Sequence, residues 1–228
     1  MPTLPYREQV LRLREDAIVE AVNRLLVSKG YELMTVDEVA AEAGLAKASL
    51  YKHFTSKEEL AAAAMVRVLD RALAQVAALQ LAAPDARAVA QIEAVLRWTL
   101  QVQLDGEMPT LPAQNSRLTA ALGAHKLYMD RLIELSESLG LWIHAAQAAG
   151  DLDATLPAEL VLYTLFARAC DPVLGLLKAA GQHSDEQMIE WLVGTTLLGL
   201  AGPARGAAGK STARPATKAG GKRKARAA

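Results

Sequence analysis

Val36, Val39, Ala40 and Ala43 are spaced to share one face of a short helix, with polar residues filling the other. Thr35 and Glu38 stand before that face with the T-x-x-E spacing of a capping box. In such a box the hydroxyl accepts from the amide three residues on, and the carboxylate reaches back to the first amide. Met34 and Val39 occupy the positions of a hydrophobic staple. Gly44 ends the helix, because glycine enters the left-handed region without steric cost. A second helix is predicted from about Ala46 to Phe54. Leu45, Leu50 and Phe54 read as its core side, while Lys47, Ser49, Tyr51, Lys52 and His53 make it polar and free of acids. A helix, a glycine turn and an acid-free polar helix suit the major groove of DNA.

The same periodicity divides the rest of the chain into helices, nine or ten in all. The first begins near Tyr6 or Asp16 and runs to Lys29, with Gly30 as its stop. A fourth opens on a second capping box, Ser56 and Glu59, and reaches about Ala82. A fifth spans about Ala86 to Leu104, and Gly106, Pro109 and Pro112 prevent its continuation. A short helix is predicted over Ala113 to Leu122, and a long one from about Ala124 to Ala149, stopped by Gly150. Pro157 is placed at the first turn of a helix that runs to Ala180, kinked at Pro172. The last helix spans Ser184 to Leu200, with Ser184 and Gln187 as a third box. The fold class expected is all-α: an N-terminal three-helix DNA-binding domain with a helix-turn-helix, then a larger helical ligand-binding and dimerisation domain. The boundaries read as 1–56, with a possible arm over 1–14, then 57–202, then a tail over 203–228.

Composition narrows this further. Hydrophobic residues make up 52% of 228, with few aromatics, which favours helices over strands. No run of 18 uncharged apolar residues is apparent, so no membrane span is expected. The first residues lack the apolar centre of a signal peptide, and the single cysteine, Cys170, permits no intrachain disulfide. A cytoplasmic protein without cofactor or metal is the expectation. The formal net charge of zero hides an asymmetry. The tail from Pro203 holds eight of the 25 basic residues and no acid, which leaves 17 basic against 25 acidic side chains before it. Such a tail reads as disordered, either as a solubilising appendage or as a non-specific hold on phosphates.

Residues 18 to 60 closely resemble the TetR-type transcriptional regulators. The resemblance rests on Ile18, Ala21, Leu25 and Gly30, then Thr35, Val36, Val39, Ala40, Ala43-Gly44-Leu45, Leu50-Tyr51, His53-Phe54, Lys57-Glu58 and Leu60. It covers the first quarter of the chain and implies a dimeric regulator of a pseudo-palindromic double-stranded DNA operator, acting as a repressor and released by a small-molecule effector. The DNA-contacting set is then Thr35, Val36, Lys47, Ala48, Ser49, Tyr51, Lys52, His53 and Lys57. Tyr51 matches a position that usually meets phosphate; packing on the first helix is its other reading. His53 is expected at a phosphate or base. Lys57 adds charge where free helix amides already favour an anion. Lys47 can donate to guanine, and Ala48 can touch a thymine methyl. One departure from the family is Ala46, where a hydroxylated cap is common; its absence costs about 1 kcal/mol.

The larger domain carries fainter signals. Trp98, Met108, Met129, Trp142, Tyr163, Phe166 and Arg168 are candidates for a ligand cavity, though side chains of this size are also ordinary core. Arg168 and Asp171 are charged within an apolar segment and can pair with each other, across a dimer or with a ligand. Two-sided apolarity in the last helices points to a twofold interface through Leu165, Val173, Leu176, Leu177, Trp191, Gly194, Leu197 and Leu198. No credible catalytic triad, metal cluster or glycine-rich phosphate loop is found, so an enzyme is not expected. Besides a ligand-responsive regulator, two classes stay open: a DNA-coating architectural protein and a helical enzyme carrying a DNA module.

Overall fold

The computed structural model describes residues 5–109 and 116–202, and the regular elements among them are ten helices. They are α1 Tyr6–Leu33, α2 Val36–Glu42, α3 Lys47–Leu50, α4 Lys57–Ala82, α5 Ala88–Leu104, α6 Arg117–Ala124, α7 Lys126–Ala149, α8 Ala158–Ala169, α9 Pro172–Ala180 and α10 Asp185–Leu200. The all-helical expectation holds. The 203–228 tail and the start of the helix predicted over 113–122 lie outside the described residues.

Local chemistry explains most of the ends. Thr35 and Ser184 both form complete capping boxes, with Glu38 and Gln187. Ser56 forms half of one. Its hydroxyl accepts from the Glu59 amide, but the Glu59 carboxylate turns to the amide and hydroxyl of Thr55. Gly30 sits at φ 75 and ψ 170, so α1 is two helical pieces joined at the predicted stop.

Two boundaries differ most from the sequence reading. The third helix is four residues long, and Tyr51–His53 continue as turns. The predicted helix from Pro157 to Ala180 is two helices: Pro157 is the residue before α8, and the chain breaks at Cys170–Asp171. Proline at the first position of α9 cannot donate to the preceding turn, and the buried Asp171 carboxylate accepts from the Val173 amide instead. Taken together, Ala158–Ala180 are apolar, with a mean hydropathy of 1.6 over an 18-residue window, but they form two short helices and include Glu159, Arg168, Asp171 and Lys178. Only 22% of that window is buried, so its apolar surface is largely uncovered in the single chain.

Packing divides into an N-terminal core and a body. The first gathers Ile18, Val22, Leu26, Met34, Val39 and Leu50 with Leu60–Met65 of α4 and Leu118 and Leu122 of α6. The body joins α4, α5, α7, α8, α9 and α10 in two apolar clusters. The 26-residue α4 serves both, spanning about 39 Å. A single antiparallel bridge, Leu152 to Ala201, ties the end of α10 to the α7–α8 turn. Glycine is required at 202, where a Cβ would stand 2.7 Å from the Gly150 carbonyl oxygen.

Candidate nucleic-acid interface and an apolar cavity

The helix-turn-helix is set by short-range bonds. Ala43 ends α2, Gly44 adopts φ 66, and the Leu45 amide donates to the Ala40 carbonyl at 2.9 Å. A Cβ at Gly44 would meet nothing within 4 Å, so backbone conformation rather than space calls for glycine. Leu50, fully buried, and Phe54 then pull α3 onto α1 and α2. Their spacing turns Lys47, Ala48, Tyr51 and Lys52 outward, with Ser49 half-buried. Tyr51 is 46% exposed, which removes the packed reading of its ring. Thr35 is exposed at the start of α2; Val36 is half-buried against the core.

Three of the basic and polar groups are already engaged. Lys47 Nζ lies 2.9 Å from the Asp37 carboxylate, and this hydrogen bond raises its pKa. Lys57 Nζ stands 4.3 Å from the centre of the Tyr31 ring and donates to the Glu32 carbonyl at 3.3 Å. The Tyr31 hydroxyl donates to Glu58 at 2.9 Å; burial first, then this bond, raises its pKa. Lys57 is therefore held over an aromatic face beside the N-terminus of α4, where helix amides attract an anion. His53 departs from expectation. Its side chain is 6% exposed, with Nδ1 3.3 Å from a Glu15 oxygen. The ring joins α1 to the end of the recognition segment instead of facing outward.

The second feature is a partly open cavity of about 290 Å³ lined by α4, α5, α7 and α8 and the segment after α5. Trp98, Met108 and Phe166 line it, as predicted. Four other candidates do not. Trp142 is buried within the core, Tyr163 is 65% exposed, Met129 is outside the lining, and Arg168 is turned away. The Arg168 guanidinium binds the Asp171 carboxylate, and its Nε donates to Thr196 Oγ1 at 2.9 Å. Of the readings for this pair, mutual pairing is the observed one. The wall also contains Met65, Leu69, Thr99, Tyr128, Leu139 and Cys170, which come from helices far apart in sequence and left no local signal.

Two wall residues touch both regions. Met65 belongs to the N-terminal core and Tyr128 packs on it, while both line the cavity. A short segment makes a second link. Met108 and Pro109 line the cavity, and the Glu107 carbonyl accepts from Asn23 Nδ2 of α1 at 3.0 Å. The Glu107 carboxylate also pairs with Arg71 of α4, and Cys170 Sγ donates to the Pro109 carbonyl at 3.3 Å. Farther along, Ser116 donates to the Glu32 carboxylate at 2.6 Å.

The predicted dimer residues separate into two groups. Val173, Leu176, Trp191 and Leu198 are exposed, Leu198 at 79%, and Leu160 and Tyr163 join them on the surface of α8. Leu165 is a correction: it is buried and lines the cavity. Leu177, Gly194 and Leu197 are half-buried within the chain. Among the described residues no group of three His, Cys, Asp or Glu could hold a metal ion.

An exposed helix-turn-helix carried on a larger helical body defines a class of DNA-binding proteins. Residues 18–64 match the sequence model of the bacterial regulatory proteins, tetR family. The match places that segment, and not the rest of the chain, among the DNA-binding modules of these regulators. The HTH-type transcriptional regulator AlkX of Mycobacterium tuberculosis is 31% identical over 68 residues, 30% of this chain and 32% of AlkX. The chain thus matches about a third of the length of that curated relative. The body's fold is also known. The fatty acid degradation regulator FadR from Bacillus halodurans superposes with a TM-score of 0.63 at 16% identity, covering 83% of this chain and 97% of that one. FadR from Bacillus subtilis, solved in complex with stearoyl-CoA, gives 0.59 at 14% identity, covering 81% and 98%. At these identities the likeness is one of fold.

Proposed function

We propose that the protein is a dimeric, sequence-specific DNA-binding transcriptional regulator, a repressor released from its operator by a small apolar or amphipathic ligand. The observation that carries this reading is the apolar cavity whose wall residues Met65 and Tyr128 also pack on the DNA-binding core. A molecule that fills the cavity acts on the seat of the recognition segment directly. It acts again through Glu107–Pro109, which lines the cavity and is bonded to α1. The ligand selects the arrangement in which two recognition segments no longer fit successive major grooves, a population shift. FadR of Bacillus subtilis with its stearoyl-CoA supports an acyl-chain-like effector by analogy of fold.

Dimerisation is supported by the apolar surface of α8, α9 and α10. Leu160, Tyr163, Val173, Leu176, Trp191 and Leu198 all stand exposed on these three helices, and clustered apolar exposure of this kind marks interaction surfaces. A twofold copy covers it and sets half-sites about 34 to 36 Å apart or slightly more. The set Thr35, Lys47, Ala48, Ser49, Tyr51, Lys52 and Lys57 meets the DNA, with His53 supporting from behind.

Two measurements test the reading. A footprint limited to a pseudo-palindrome supports it, and uniform coating of any duplex favours an architectural role instead. Linkage supplies the second: an effector that weakens operator binding 100-fold, about 2.7 kcal/mol of coupling, must itself bind 100-fold more weakly to the operator complex. Equal effector affinity with and without operator removes the regulatory reading.

A further inference from the structure

Charged residues make up 22% of the chain, yet among the described residues the cavity wall contains no carboxylate, guanidinium, ammonium or imidazole. The intervening residues 110–115, TLPAQN, contain no ionisable side chain in sequence either. The polar groups of the wall are few. Thr99 Oγ1 donates to the Val95 carbonyl at 2.8 Å and keeps acceptor capacity. Cys170 Sγ is directed at the Pro109 carbonyl. Tyr128 is half-buried, and its hydroxyl has no hydrogen-bond partner among the described residues. Tyr128 and Cys170 are the ionisable members of this wall, and neither can supply positive charge.

These observations constrain what can enter. An ionised carboxylate or phosphate drawn into the cavity loses its water and meets no countercharge, which is among the most costly transfers in protein chemistry. A neutral chain loses only apolar hydration, which favours it. The volume, 290 Å³, holds about ten methylene-sized units at the ~30 Å³ that a water occupies in the liquid.

We propose that the cavity takes an uncharged, mainly aliphatic molecule of about ten heavy atoms with one hydroxyl or carbonyl group, anchored at the Tyr128 hydroxyl, and that it rejects the ionised carboxylate of the same chain length. This rests on the reading of the cavity as the effector site and narrows it from apolar or amphipathic to neutral. Burial raises the Tyr128 pKa, which keeps the phenol protonated and able to donate.

The test titrates the full chain by calorimetry with 1-decanol, sodium decanoate and decanoyl-CoA between pH 6 and pH 8. 1-Decanol binds at least about 100-fold more tightly than decanoate at pH 8. Only the neutral acid enters, so decanoate affinity rises about tenfold per unit as pH falls, roughly 100-fold over the range, because its carboxyl titrates near 4 to 5. The affinity for decanol stays flat over the same range. Tyr128→Phe, which keeps the ring and its packing, weakens decanol about tenfold, the loss of one buried hydrogen bond. A variant that binds decanol as tightly as the native chain overturns the anchor. Decanoate or decanoyl-CoA binding at pH 8 as tightly as decanol, or a pH-independent decanoate affinity, overturns charge exclusion and leaves the effector reading standing. Binding of none of the three removes the cavity as a ligand site, and both inferences fall together.

Discussion

The N-terminal core and the body are built by different means. In the first, polar devices set nearly every turn: the Thr35–Glu38 box, the left-handed Gly44, the Ser56 cap and the Glu15–His53 contact. Its interior is filled, with Ile18, Met34, Leu50 and Leu60 almost wholly buried. The body caps its helices too, at His125, Asp171 and Ser184, but its interior stays open around 290 Å³. A recognition surface needs one geometry, so it is over-determined by local bonds. An effector site needs space and two arrangements of similar energy, so bulk apolarity with a void suits it.

Substitutions can sharpen or break that contrast. The largest effect is expected at Leu50→Ala, which removes a fully buried side chain from the filled core. It should cost about 2 to 5 kcal/mol and abolish operator binding; a thermal melt within a degree of the native one refutes the filled-core account. A paired test comes next. Ala62→Leu adds bulk to the filled core and should cost about 1 to 3 kcal/mol. Ala72→Leu adds the same bulk at the cavity wall, should cost less than about 1 kcal/mol, and should weaken 1-decanol binding. Equal losses in denaturant melts would show that the void has no slack.

Smaller still is Thr35→Ala, which deletes a cap and should cost about 1 kcal/mol. Urea unfolding would register this as a lower midpoint with an unchanged slope. The smallest effect is electrostatic. Lys57→Ala should weaken all DNA sequences alike and lower the salt slope of binding by about one unit. Tyr51→Phe should weaken binding without moving that slope, since no charge is lost. Unchanged affinity and slope for Lys57→Ala would take Lys57 off the interface.

The same contrast explains what is legible in the sequence. Thr35, Glu38, Gly44, Ser184 and Gln187 act on neighbours within four or five residues, so their spacing announces them. Ser56 and Glu59 have that spacing too, but Thr55 competes for the carboxylate, and only half the box forms. His53 is misjudged from sequence because its partner, Glu15, lies 38 residues away on another helix. The cavity is legible for Trp98, Met108 and Phe166 and illegible for Met65, Thr99 and Tyr128. Size and polarity distinguish a candidate, but which face of α4 or α7 meets the void depends on tertiary packing. Leu165 shows the reverse error: an apolar residue in an exposed-looking helix can face inward.

The break between α8 and α9 falls at Cys170 and Asp171. While Ala158–Ala180 is being synthesised, its composition resembles that of a segment bound for a bilayer. Arg168 and Asp171 stand near its midpoint, where each charged side chain opposes insertion by about 2.5 to 3.5 kcal/mol. In the finished fold the same two residues bind each other and cap α9. The pair thus fixes the corner from which the exposed apolar side chains of α8 and α9 project.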